Sequence, residues 1–207
     1  MNTRSIRAYI CIGVAVVLFA ACIKQTEKQF KGTAVVEFDA TVLNSVTAGI
    51  TYPLLSQIPG YGVPLDLSVI HASCQGTGYQ FVDSFIKRSS GVVSLRVNLV
   101  GPTAREERAI GFKIIDVPVT AISFTGYKPC VKVDLNVLPA VAGTHYTLAD
   151  NKIVIPADSS FGYLRINVLN APATAGQARS IGFQLDSTQS LLPSVNYRTL
   201  AIAIDQR

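Results

Sequence analysis

From residue 33 the chain alternates between apolar and polar positions. Thr33–Phe38 opens the pattern. Val93, Leu95, Val97 and Leu99 then alternate with Ser94, Arg96 and Asn98. Ile110, Phe112 and Ile114 alternate with Gly111 and Lys113, and Val131, Val133, Leu135 and Val137 with Lys132, Asp134 and Asn136. Leu164, Ile166 and Val168 alternate with Arg165 and Asn167, and Ile181, Phe183 and Leu185 with Gly182 and Gln184. Leu200, Ile202 and Ile204 close the series, and Ile153-Val154-Ile155 is a shorter apolar run. A period of two puts one apolar and one polar face on each strand, so the expected fold is all-β, with antiparallel sheets packed face to face as a sandwich. Gly101-Pro102, Gly143-Thr144, Ala157–Ser160 and Ala171–Gly176 supply turns at the spacing such a fold needs.

Two stretches interrupt the alternation. Residues 44–64 carry three prolines and three glycines, which excludes a long helix or a central strand and predicts a long loop. Leu65–Ile70 reads as a strand. Within Gly78–Arg88, Phe81, Val82, Phe85 and Ile86 recur at helical spacing and predict one short helix. The expected domain is therefore 31–207. Residues 91–207 form its clearer part, and 31–90 hold a first strand plus an irregular insertion.

The first thirty residues follow another logic. Arg4 and Arg7 precede an apolar run, Ile10–Ala21, that ends in small residues before Cys22. This is the layout of a secretory signal peptide over residues 1–21. The run is about a dozen residues, against about 20 for a spanning helix, so it does not predict a permanent span. Leu18-Phe19-Ala20-Ala21-Cys22 resembles a bacterial lipobox. The resemblance implies cleavage before Cys22, lipid on its thiol, and acylation of the new N-terminus. Residues 22–30 read as the tether between lipid and domain. No Asp follows Cys22, which favours the outer membrane and leaves its periplasmic and outer faces both open.

Charge narrows the partners. The net charge is +5, of which Arg4 and Arg7 contribute two. The rest is mildly basic and mixed in sign, so it does not predict nucleic-acid binding. Of the four cysteines, Cys11 leaves with the signal peptide and Cys22 takes lipid. Cys74 and Cys130 remain, an even pair in an oxidising compartment. They predict either one disulfide or two separate buried thiols. A bridge would close a loop of about 55 residues and contribute about 4 kcal/mol in the chain-entropy picture.

The stretch from Ala140 to Leu169, A-V-A-G-T-H-Y-T-L-A-D-N-K-I-V-I-P-A-D-S-S-F-G-Y-L-R-I-N-V-L, resembles the Calx-β type of immunoglobulin-like domain. Leu99-Val100-Gly101-Pro102 and Asn196-Tyr197-Arg198-Thr199 extend the likeness to roughly 92–207. Taken whole, the chain resembles uncharacterised Gram-negative outer-membrane lipoproteins, often found beside glycan-uptake systems. Calcium-binding members of the Calx-β type gather acidic residues at one end of the sandwich. Here His145 stands where Asp is usual before Tyr146, and the loop after Val168 has no carboxylate. Calcium takes six to eight oxygens. Glu106, Glu107, Asp150 and Asp158 could supply some by converging, and otherwise read as solvated loop residues.

Little else carries chemistry. His71 and His145 are the two histidines. With Cys74 and Cys130 they form a conceivable zinc tetrad, but without the paired C-x-x-C spacing of structural sites. Nucleophile elbows, H-E-x-x-H and phosphate loops do not occur. The sequence therefore predicts no cofactor, no resident metal and no catalytic residue. Two roles stay open. One is a binding or adhesion module, for a glycan or a neighbouring outer-membrane protein. The other is a glycosidase-like hydrolase using loop carboxylates, which need no local motif. For binding, the sequence offers Tyr52 and Tyr61 among the prolines and glycines of 49–64, with Tyr79 and Tyr127 as further candidates. Loops on a rigid scaffold commonly carry recognition. The competing reading is that Tyr52 and Tyr61 cover an open end of the sandwich.

Overall fold

A computed structural model describes residues 32–39, 49–61, 85–125, 132–187 and 191–207. All of them fall in one compact unit, Gly32–Arg207. Among the described residues there are thirteen strands and no helix: β1 (Val35–Phe38), β2 (Leu54–Leu55), β3 (Gly91–Val100), β4 (Arg108–Ile110), β5 (Phe112–Ile115), β6 (Ala121–Thr125), β7 (Lys132–Pro139), β8 (Tyr146–Leu148), β9 (Ile153–Ile155), β10 (Phe161–Val168), β11 (Gln177–Leu185), β12 (Leu192–Pro193) and β13 (Thr199–Asp205). The first sheet runs β12-β1-β3-β10-β8. The second runs β2-β13-β11-β7-β6, with β5 also on β11. Val93, Leu95 and Val97 of β3 and Leu164 and Ile166 of β10 meet Phe183 of β11 and Ile202 of β13 in one buried core. This is the sandwich that the alternation predicts.

Three pairings are parallel rather than antiparallel: β1 with β12, β11 with β7, and β13 with β2. The cause is the path of the chain. After β7 the chain crosses to the first sheet for β8 and β10, then returns to the second sheet as β11. A strand that re-enters after such an excursion can run in the direction of the strand it left, which a tight hairpin cannot do.

Other departures are local. The single strand expected through Ile110, Phe112 and Ile114 divides at Gly111. Its first part, β4, pairs with β9 in a separate two-stranded ladder, and its second part, β5, pairs with β11. The ladder brings Ile110, Ile153 and Ile155 into the main core. Strand β6 had no clear signal in the sequence. The predicted loop 44–64 holds the short edge strand β2 in its described part. The helix expected over Gly78–Arg88 is absent from its described end: Phe85 bridges Gln57, and Lys87 bridges Asp205, so the backbone there is extended. Phe85 and Ile86 are both buried but in different clusters, one on each side of the chain. Apolar neighbours of that kind mimic helical spacing in sequence.

The largest departure concerns the second sheet, where both faces are covered. Every residue of β13 is buried. Leu200, Ile202 and Ile204 face the main core. Ala201 and Ala203 face a second cluster with Leu54, Phe85, Val119 and Leu135. Expecting one solvated face on each strand was wrong here, because alanine occupies the outward positions and another layer of chain lies over them.

Candidate functional site

Strand β10 carries the outward side chains that distinguish the first sheet. Gly162, Leu164, Ile166 and Val168 point inward, and Phe161, Tyr163, Arg165 and Asn167 outward. Strand β8 pairs only with Ile166, Asn167 and Val168. Among the described residues, the half of β10 from Phe161 to Arg165 thus has β3 on one side and no ladder on the other. Beside that open edge runs the segment 150–156, which leads into β9. Between the two lies a groove of about 800 Å³, lined by Asp150, Asn151 and Lys152 on one wall and by Phe161, Tyr163 and Arg165 on the other. A groove of this size falls in the range of small-ligand sites.

Local sequence builds both walls. Gly162 lets β9 come close, because a Cβ there would stand 2.3 Å from the Val154 carbonyl oxygen. Asp158 takes a left-handed conformation, φ 58°, in the turn before β10. Asp is among the few side chains that tolerate it. The next residue, Ser159, uses one hydroxyl to accept from the Phe161 N–H (3.2 Å) and to donate to the Phe161 carbonyl (2.9 Å). The end of the open edge is thereby closed to a further strand.

The outward rings form a connected group. Phe161 and Tyr163 meet edge to face at 5.6 Å, and Tyr61 reaches Tyr163 at 6.1 Å. The Arg96 guanidinium lies 4.7 Å from the Tyr61 ring centre and 5.6 Å from that of Phe161. It is also ion-paired to Asp39, whose carboxylate is buried. Arg165 lies 5.9 Å over Tyr163. Stacking of cations on rings is favourable, and it also holds the rings in place.

The sequence-predicted tyrosines separate. Tyr61 belongs to the group beside the groove. Its hydroxyl accepts the Arg96 backbone N–H at 2.8 Å, and burial pushes its pKa up to about 12. Tyr52 lies on the other sheet, half-buried against the second cluster. Its hydroxyl is buried without a hydrogen-bond partner among the described residues, and burial raises its pKa. The sequence left open whether these rings are exposed for binding or cover an open end of the sandwich. Both are packed, because loop 49–61 lies on the sheets rather than projecting from them. Tyr52 also borders a smaller pocket of about 290 Å³ with Gln184 and Arg198. Tyr79, Tyr127, His71, Cys22, Cys74 and Cys130 lie outside the described residues, as do the signal-peptide and tether segments.

His145 is buried in the turn before β8, and its Nδ1 accepts the Val141 N–H at 3.0 Å. Burial, and then the nearby Arg179 cation, lower its pKa. The ring caps the turn, a task an aspartate oxygen could also perform. Among the described residues, no three His, Cys, Asp or Glu side chains gather as a metal site. Sequence reasoning passed over Phe161, Tyr163, Arg165 and Arg96. The available signal was an alternating strand whose outward positions carry rings rather than the usual small polar residues.

The chain matches no protein-family profile and no curated protein. Solved structures with partial overlap include the apo-form Calx CBD1 domain, at 14% identity and a TM-score of 0.39, over 58% of this chain and 86% of that one. Another is a Bacteroides ovatus protein of unknown function, at 14% identity and a TM-score of 0.46, over 84% of this chain and 52% of that one. At such scores these overlaps bear on neither ligand nor chemistry.

Proposed function

We propose that this chain is a non-catalytic binding module of the cell envelope, held to the outer membrane by lipid on Cys22, that binds saccharide in the groove beside β10. The observation that carries the reading is the pairing of Phe161 and Tyr163 on one wall with Asp150, Asn151 and Lys152 on the other. A pyranose ring has an apolar face of C–H groups and an equatorial rim of hydroxyls. Aromatic side chains suit the first, and amide, carboxylate and ammonium groups suit the second. The rings sit on a paired strand, so little order has to be acquired on binding.

The hydrolase reading has less support. Glycoside hydrolysis ordinarily takes two carboxyl groups flanking the bond, about 5 to 9.5 Å apart. Asp150 is the one carboxylate among the described residues that line the groove.

Full-length protein tested against a panel of immobilised polysaccharides should bind at least one without turnover. Phe161→Ala with Tyr163→Ala should abolish that retention at an unchanged melting temperature. Release of reducing sugar, abolished by Asp150→Asn, would instead establish the hydrolase. For the anchor, metabolic labelling with an alkynyl fatty acid should mark the protein, and Cys22→Ala should remove the label. Equal labelling of that variant would refute the lipid anchor.

A further inference from the structure

The charge of the groove narrows the saccharide. Three cations lie in or beside it: Lys152, Arg165 and Arg96. Arg96 is committed, since its Nε lies 2.7 Å from Asp39 Oδ2 and its charge is matched by that buried carboxylate. The other buried carboxylate, Asp205, is taken by Arg207 on the far sheet. Lys152 and Arg165 have no carboxylate within ion-pair distance among the described residues. They stand on opposite walls of one groove, with Tyr163 beneath Arg165. Asp150 is the acidic group there, so the lining keeps an excess of positive charge.

We infer that the groove selects an anionic saccharide, a uronate or a sulfated sugar, whose acidic group is met by Arg165 and Lys152 while its ring rests against Phe161 and Tyr163. This rests on the saccharide-binding reading above. A guanidinium presents a planar fork of N–H donors that fits carboxylate and sulfate oxygens in pairs. With Tyr163 behind it, Arg165 is held where such a fork would face into the groove. Lys152 adds a compact charge from the other wall, and asparagine at 151 offers a neutral donor and acceptor for hydroxyls. Asp150, next to these cations, disfavours a ligand with acidic groups in close succession. The better fit is one acidic group per occupied subsite.

Binding of polygalacturonate, a sulfated galactan, neutral galactan and a single-stranded oligonucleotide to the full-length protein tests this. At low salt the two acidic polysaccharides should bind at least about tenfold more tightly than neutral galactan, since hydrogen bonds to a charged group are stronger than those between neutral groups. That preference should shrink as salt is raised. Arg165→Gln should weaken polygalacturonate about tenfold, and Lys152→Gln less, both at unchanged melting temperature. Equal binding of acidic and neutral polymers, or acidic binding untouched by both substitutions, would overturn the inference and leave the saccharide-binding module standing. Equal retention of the oligonucleotide would mark an unselective cationic patch and overturn it as well. Retention of no polysaccharide would overturn both readings.

Discussion

The two outer faces of the sandwich begin from the same alternation and end in different states. On the first sheet, the outward positions of β3 and β10 hold Ser94, Arg96, Asn98, Phe161, Tyr163 and Arg165, and those of β10 line a groove. On the second, the outward positions of β11 and β13 include Ala178, Ala201 and Ala203, and they are buried under a second apolar cluster. What separates them is side-chain size and chemistry. Alanine leaves room for another layer of chain and cannot cover a sheet by itself, so Leu54, Phe85 and Val119 pack over it. Large rings and cations fill the outer space themselves and leave a surface for something else to meet.

The comparison is most easily broken by charge. Ala203→Asp should bury an unpaired carboxylate and cost about 3–5 kcal/mol, while Asn167→Glu on the exposed face should change stability by less than about 0.5 kcal/mol, both read by chemical denaturation. Similar costs at the two positions would mean that the faces do not differ as described. Gly162→Ala comes next. Its methyl would collide with the Val154 carbonyl, so β9 must shift, at about 1–3 kcal/mol, with weakened saccharide retention. A wild-type melting temperature would show that β9 does not press on β10.

The two tyrosines sharpen the contrast, because removing their hydroxyls should act in opposite directions. Tyr52→Phe removes a buried hydroxyl with no partner among the described residues and should stabilise by about 1 kcal/mol. Tyr61→Phe removes the acceptor for the Arg96 N–H and should destabilise by about 1 kcal/mol. Effects of the same sign would contradict the environments assigned to them.

The smallest effect is one of pH. Tyr61 has a folded pKa of about 12 against an ordinary value of 10.0. Between those values the folded state keeps a proton that the unfolded chain loses, so stability falls as pH rises through that window. The contribution is whole below pH 10. Tyr61→Phe should flatten this part of the stability profile, and an equally steep fall in that variant would assign the loss elsewhere.

Much of the fold was legible because period two survives any topology. The inward residues of β3, β10, β11 and β13 are those the alternation named. Topology was less so, since nothing in β7 or β11 marks that the chain visits the other sheet between them. The apparent helix near Phe85 failed because a chain buried on both sides has consecutive apolar residues in extended form as well. The binding surface was half legible. Tyr61 was noticed for its loop, yet it joins the group through Arg96, a strand residue that only folding brings near. Phe161 and Tyr163 read as ordinary strand positions until β8 proved too short to pair with them. The length of a neighbouring strand is a tertiary fact, which local sequence does not carry.

The central claim is that the open edge of β10 is where ligand binds. Amide hydrogen exchange of the full-length protein, with and without the tightest-binding polysaccharide of the panel, tests it most directly. The account predicts that added protection concentrates in residues 150–165 and leaves the covered face, residues 51–55 and 199–205, unchanged. Protection confined to that covered face, with residues 150–165 unaltered, would contradict it.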